Sequence, residues 1–189
     1  QDVLVHAGAG GVGLLLTQLV AARGARVITT VSSESKAERS RAAGAHEVVR
    51  YDQLEDLRSE LPAVVRKLTG GAGVHTVFDG VGKATFDASL ASLRRRGGLA
   101  LFGAASGQVP PVDPQRLNSA GSVYLTRPTL FHFIEERSEL LRLSRELFTL
   151  VGEGRLEIEV SARFPLAQVA EAHRALEGRR TTGKVLLLP

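Results

Sequence analysis

The stretch Val3-Leu4-Val5-His6-Ala7-Gly8-Ala9-Gly10-Gly11-Val12-Gly13 constrains the fold more than any other part of the chain. An apolar run of strand character leads straight into Gly8, Gly10 and Gly13 at GxGxxG spacing, and an amphipathic helical pattern follows without a break. The first glycine permits a tight turn, the second brings bare backbone up to a ligand, and the third lets the helix settle on the strand. Amides at the start of that helix then point outward, with the positive end of the helix dipole behind them, an arrangement suited to a pyrophosphate. Val12, Leu15, Leu16, Leu19 and Val20 recur at helical spacing, and Gly24 stops the helix. Strand, turn and helix thus follow in the order of a dinucleotide-binding unit.

Short apolar runs and helical patterns alternate through the next hundred residues, which is the signature of a parallel sheet flanked by helices. Strands are expected at residues 3–6, 26–31, 47–51, 75–79, 99–102 and 122–125, and helices at 12–23, 34–43, 56–68 and 84–93. Gly44 and Gly70-Gly71 act as helix stops. Six strands with the fingerprint on the first predict an α/β fold, a doubly wound parallel six-stranded sheet of the Rossmann type in the order 3-2-1-4-5-6. Right-handed crossovers gather the carboxyl ends of the strands on one rim, where a ligand should lie. A long helix at 134–151, a strand at 156–160, a helix at 166–176 and a strand at 184–188 complete the pattern. The expected division is a dinucleotide-binding domain over 1–127 and a separate tail over 128–189.

The 189 residues, 43% hydrophobic, suffice for one full core and part of a second. The chain enters its first strand almost at once and contains no methionine, so it reads as part of a longer protein. Neither a membrane-spanning apolar run nor a signal-peptide pattern occurs, and a soluble, cytoplasmic protein is expected. Without cysteine the chain has no disulfide, thiolate nucleophile or sulfur-based zinc site. Histidines 6, 46, 75, 132 and 173 form no metal-ligand pair, so each is read as structural or surface and no metal is expected.

The net charge of +4, carried by twenty arginines and four lysines, raises the question of nucleic acid. The dense cluster, Arg94-Arg95-Arg96, is read as a solvated helix end before Gly97-Gly98, because no aromatic side chains interleave to stack bases.

An Asp or Glu about 20 residues beyond the fingerprint would hold an unphosphorylated adenine ribose, but the second strand ends Val31-Ser32-Ser33. Lys36 lies in the first turn of the next helix, where its ammonium can reach a 2′-phosphate, and Tyr51 closes the neighbouring third strand. Ser32, Lys36 and Tyr51 therefore converge on one point, which suits NADP better than NAD. Glu34 opposes this, since a carboxylate there can repel a phosphate or bind a hydroxyl. At the other end of the rim, Asp79-Gly80-Val81-Gly82 and Phe102-Gly103 offer bare backbone to a cofactor. Asp79 is either a general base or, by the plainer reading, an acceptor for ribose or loop amides. Ser106 lacks the GxSxG elbow, and no nucleophilic catalyst is evident.

Along nearly its whole length the chain resembles the zinc-independent quinone oxidoreductases of the medium-chain dehydrogenase/reductase superfamily. The resemblance rests on His6 to Gly13, Ser32 to Lys36, Ala43-Gly44-Ala45, Thr69-Gly70-Gly71, Phe78 to Gly82, Phe102-Gly103, Leu125 to Pro128 and Thr182-Gly183-Lys184. Gly8, where relatives often carry alanine, should only loosen the turn, and the Ala104-Ala105 pair replaces polar residues of some relatives. The resemblance implies NADPH as cofactor, with Gly10, Gly11, Val12 and Gly13 at the pyrophosphate turn and Ser32, Lys36 and Tyr51 at the 2′-phosphate. It also implies Val81, Phe102, Gly103 and Ser106 toward the nicotinamide, and Arg179 from the loop before the last strand.

By the same resemblance, hydride passes from NADPH to a quinone or activated enone without a metal. Related readings are an enoyl-thioester reductase and a non-catalytic NADPH- or RNA-binding module. The resemblance further implies a homodimer through the edge of the sixth strand and a GroES-like catalytic domain, absent here, to which the α+β tail belongs. The apolar face of the tail, Leu156, Ile158, Val185, Leu186 and Leu187, is accordingly expected to be exposed or covered by another copy.

Overall fold

A computed structural model describes residues 1–178 and 181–189. Six parallel strands form one sheet: β1 (Asp2–Val5), β2 (Arg26–Val31), β3 (Glu47–Arg50), β4 (Val74–Asp79), β5 (Leu93–Leu101) and β6 (Tyr124–Thr126). Their spatial order is β3-β2-β1-β4-β5-β6, as the sequence predicts. Helices α1 (Gly11–Ala21), α2 (Glu34–Ala42), α3 (Leu57–Leu68), α4 (Phe86–Ser92) and α5 (Gln115–Ser119) occupy the connections. The tail comprises α6 (Leu130–Phe133), α7 (Arg137–Gly152), β7 (Val160–Pro165), α8 (Val169–Glu177) and β8 (Lys184–Leu188). Strands β7 and β8 pair in parallel as a separate two-stranded sheet. Among the described residues no helix is long and apolar enough to cross a membrane.

Strands buried on both faces read as continuous apolar runs, and the centre of this sheet follows that rule. Leu4, Ile28, Val77 and Leu99 pack with Leu61 and Val65 of α3 and with Phe86 and Leu90 of α4 on one face. Val3, Val5 and Val27 meet Leu16 and Val20 of α1 on the other. Helix α1 buries Gly13, Leu14 and Thr17, whereas Val12, expected on the core-facing stripe, is 54% exposed at the mouth of the turn. Helix α2 is far more polar and is placed by a cap: the Ser33 hydroxyl accepts from the Lys36 amide at 3.4 Å.

The fingerprint turn is tighter than its composition suggests. A Cβ on Gly8 would stand 2.6 Å from Cβ of Thr29 and 2.8 Å from Oγ of Ser40. Those two side chains hydrogen-bond each other at 2.7 Å. Gly8 therefore does not loosen the turn; its missing methyl is space that Thr29 and Ser40 fill. The neighbouring Ala7 takes φ +54°, a left-handed conformation that costs an L-residue about 1 kcal/mol.

Three local expectations change. Arg94, Arg95 and Arg96 do not end a helix: α4 stops at Ser92, and the arginines belong to β5, which begins six residues earlier than its apolar run indicates. The register skips from Val74↔Leu93 to Thr76↔Gly98, so the arginines bulge out of the ladder into solvent. Helix α7 starts at Arg137, after the separate turn of α6, and no residue of α7 is buried. The strand expected at 156–160 forms instead as β7. Residues ahead of β7 are held on α1, where Gln18 donates to the Glu157 carbonyl (3.0 Å) and accepts from its amide (2.8 Å). Leu156 is consequently buried at 3% exposure, against expectation, while Ile158, Leu186 and Leu187 remain 44%, 38% and 39% exposed.

Candidate functional site

The carboxyl ends of β1, β2 and β4, the loop after β5 and the start of α1 surround a cleft of about 290 Å³. Ala7, Ala9, Gly10 and Gly11 form its floor, and Ser32, Lys36 and Tyr51 its first end. Val81, Ala84, Thr85 and Ala105 line the second end. The tail adds a further wall through Leu176, Thr181 and Gly183.

Gly10 caps α1 with no side-chain hydrogen bond, and the first turn of the helix carries no acidic residue. Its amides are thus left to an external acceptor, with the helix dipole favouring an anion. The two adjacent glycines have different reasons to be bare. A Cβ on Gly10 would meet only the Ala7 carbonyl, at 3.3 Å, so the approach from the cleft is open. A Cβ on Gly11 would stand 2.8 Å from the carbonyl oxygen of Gly183, and the Gly183 amide donates to the Ala9 carbonyl at 3.2 Å. Gly11 is bare because the tail crosses it.

At the first end, the Lys36 ammonium donates to Ser32 Oγ at 3.1 Å. Tyr51 opens a 3-10 turn directly after β3, which pairs with β2 through Val31↔Arg50. The three residues expected to converge do so. Glu34 does not join them on the cleft wall. Its Oε1 pairs with Arg41 at 2.9 Å and its Oε2 with Arg50 at 3.1 Å. These two guanidinium groups, by hydrogen bonding first, hold the Glu34 carboxyl below the usual range.

At the second end, Asp79 is fully buried. One oxygen accepts from the amides of Val81 (2.8 Å) and Gly82 (3.0 Å), and both accept from the Thr85 hydroxyl. Ser89 donates to the second oxygen at 2.7 Å. This is the loop-anchoring role of the plainer sequence reading. Ser89 Oγ, having donated to a carboxylate, accepts from His6 Nε2 (2.9 Å), and His6 Nδ1 accepts from Thr30 Oγ1 (2.9 Å). Burial pushes the His6 imidazole below its ordinary value, with the charge of Asp79 opposing. A buried chain from Asp79 to Thr30 therefore ties β4, α4, β1 and β2 together under the cleft.

Of the residues anticipated from the sequence, Gly10, Gly11, Ser32, Lys36, Tyr51 and Val81 line the cleft. Val12 and Gly13 follow in α1, outside the lining. Phe102, Gly103 and Ser106 also stand behind it. The Phe102 ring covers the bare face of Gly80, 2.7 Å from where a Cβ would stand. Ser106 Oγ donates to the Val81 carbonyl (2.7 Å) and accepts from the Ala84 amide (2.9 Å), which clamps the loops after β4 and β5 together. Arg179 lies outside the described residues. The sequence reading missed His6, Thr30, Thr85, Ala105 and the tail residues as lining. Thr30 sits in a strand buried from Val27 to Val31, so no alternation marks it, and nothing local points to Leu176 or Thr181.

The family described as zinc-binding dehydrogenase matches residues 11–146. The quinone oxidoreductase of Salmonella typhimurium is 44% identical over the whole chain, which covers 57% of that protein. The 2-haloacrylate reductase of a Burkholderia species is 42% identical over 99% of the chain and 55% of its own length. A mycobacterial protein whose structure was solved in complex with NADPH superposes with a TM-score of 0.95 at 58% identity, over all of this chain and 56% of that one. The chain thus spans little more than half the length of the relatives it matches. Among its described residues, no group of three or more His, Asp or Glu side chains is placed to hold a metal ion.

Proposed function

The chain belongs to the zinc-binding dehydrogenase family of the medium-chain dehydrogenase/reductase superfamily, and from that premise we propose that it is the cofactor-binding part of an NADPH-dependent oxidoreductase acting on a quinone or an activated enone. The observation that carries this reading is the first end of the cleft. There Lys36 and Ser32 hydrogen-bond to each other beside Tyr51, while Glu34, the nearby acid, is tied to two arginines outside the wall.

The cleft fits the cofactor on its own geometry: an uncapped helix start, an open approach over Gly10, and a cation where a 2′-phosphate needs one. Amides of Gly11 and Val12 would hold the pyrophosphate, while the Gly10 amide closes the turn on the Ala7 carbonyl (2.9 Å) and Gly13 lets α1 approach β1 closely enough to aim them. Ser32, Lys36 and Tyr51 would hold the 2′-phosphate, together with Arg179. Val81, with Phe102, Gly103 and Ser106 bracing its loop, would flank the nicotinamide. NADPH, when bound, supplies the hydride. The protein's part is to fix the orientation of that donor, keep water from it, and leave the open end to a small-molecule acceptor. The exposed edge of β6, with Tyr124 67% exposed, is the surface through which two copies would pair. The acceptor named for the Burkholderia relative, a haloacrylate, is an activated enone-like alkene and supports the substrate class.

The test is a titration of the full-length protein with NADPH and NADH, alongside Lys36→Ala, followed by turnover with quinones, enones and enoyl thioesters. Selective NADPH binding that weakens in the variant, with quinone or enone reduction, is expected. Equal affinity for the two cofactors would remove the phosphate reading, and reduction of thioesters alone would move the activity to the enoyl-thioester class.

A further inference from the structure

We propose that Arg41 and Arg50 set the cofactor preference of this site by holding Glu34 away from the ribose corner. The inference rests on the NADPH reading above. Glu34 opens α2, two residues after Ser32 and two before Lys36. A carboxylate at the β2–α2 corner accepts from a ribose 2′-hydroxyl and repels a 2′-phosphate, so its direction decides which cofactor the corner suits. Here both carboxylate oxygens are engaged elsewhere, one by Arg41 two helical turns on (2.9 Å) and one by Arg50 at the end of β3 (3.1 Å).

Arg50 is the stiffer of the two partners. Asp52 grips it through a second pair of contacts, Nη2 to Oδ2 at 2.7 Å and Nε to Oδ1 at 3.3 Å. Its side chain is only 25% exposed, and its backbone is fixed opposite Val31 in the sheet. Because Tyr51 follows Arg50, the strand end that brings Tyr51 to the cleft wall also draws the glutamate away from it. Glu34 and Asp52 balance Arg41 and Arg50 in charge, and this group of four stands outside the cleft wall to which Lys36 belongs. Arg41 and Arg50 are thus positioning residues that act through Glu34.

The experiment measures the ratio of NADPH to NADH affinity by fluorescence titration of the full-length protein. Arg41→Ala with Arg50→Ala should lower that ratio about 5-fold, the size of one charge contact a few ångströms long in water. Adding Glu34→Gln to the double variant should restore it, whereas Glu38→Gln, the same charge change on the same helix, should not. Far-UV spectra and melting temperatures of each variant keep a folding defect from passing as a preference. A double variant with the parent's ratio overturns the inference, as does equal restoration by the Glu34 and Glu38 substitutions, which would mean that only net charge matters. Those results leave the NADPH reading standing if the parent still prefers NADPH. A parent that binds both cofactors equally overturns that reading and this inference with it.

Discussion

The sheet body and the tail carry the same kinds of apolar pattern and meet opposite fates. In the body, Leu4, Ile28, Leu61, Val77 and Leu99 are essentially shut off from solvent. In the tail, α7 repeats leucines at helical spacing yet buries none of them, and Phe131, Phe133 and Phe148 are 76%, 60% and 73% exposed. What fixes the tail is mostly polar: Gln18 on the backbone of Glu157, Gly183 on Ala9, Arg23 with Glu146 at 3.2 Å, and the Arg39–Glu159 pair. An amphipathic pattern specifies that a face wants a partner; it does not say that the partner lies in the same chain. The body is held by area, the tail by pins.

If so, equal truncations should cost unequal amounts. Ile28→Ala removes a fully buried side chain between β1 and β3 and should destabilise by about 3–4 kcal/mol, whereas Leu187→Ala in β8, 39% exposed, should cost under about 1 kcal/mol. Guanidinium unfolding of both variants checks this, and similar costs would break the comparison. Gly8→Ala comes next, because its methyl must push into Thr29 and Ser40; a loss of about 2 kcal/mol is expected, part of which Ser40→Ala should return. A neutral Gly8→Ala would mean that the turn has slack. Gln18→Ala deletes both bonds to Glu157 and should leave the melting of the body nearly unchanged. Amide exchange should quicken about 10-fold in residues 156–160 and at Gly183 but not in β1 or β4. Uniform exchange throughout would show that body and tail open as one unit.

The same contrast governs how far the sequence could be read. Strand order, the glycine turn and the convergence of Ser32, Lys36 and Tyr51 are consequences of local period and of one topological rule, and they stand in the structure as read. Contacts between distant segments were not legible. Nothing near Gly11 announces that Gly183 crosses it, and nothing near Glu34 announces the guanidinium that β3 delivers from sixteen residues away. The start of β5 is hidden for a related reason: three consecutive arginines suggest a solvated helix end, and only the skipped register against β4 shows them bulging from a strand. The constraint at Gly8 is hidden in the same way: a glycine in a turn suggests freedom, but the side chains of Thr29 and Ser40 take the room.

Acid offers the finest test, since the one buried imidazole among the described residues belongs to the body. His6 is held neutral, donating from Nε2 to Ser89 and accepting at Nδ1 from Thr30, and burial depresses its proton affinity against the opposing charge of Asp79. The unfolded chain regains an ordinary imidazole, titrating near about 6.5. Below that pH the unfolded state binds a proton that the folded state refuses. The stabilisation is therefore fully present above about 6.5 and is lost as the pH falls toward the folded value, at no more than about 1.4 kcal/mol per pH unit. His75 is also depressed, chiefly by burial, and contributes in the same direction, so His75→Gln serves as the matched background. In that background, unfolding free energy measured from pH 7.5 to 5 should fall more steeply with His6 than with His6→Gln. Because Ser89 links His6 to the Asp79 carboxylate that anchors Val81 and Gly82, amides of that loop should lose protection with acid before those of β8. Identical slopes with and without His6 would place the acid sensitivity outside the body, and β8 opening first would return it to the pinned tail.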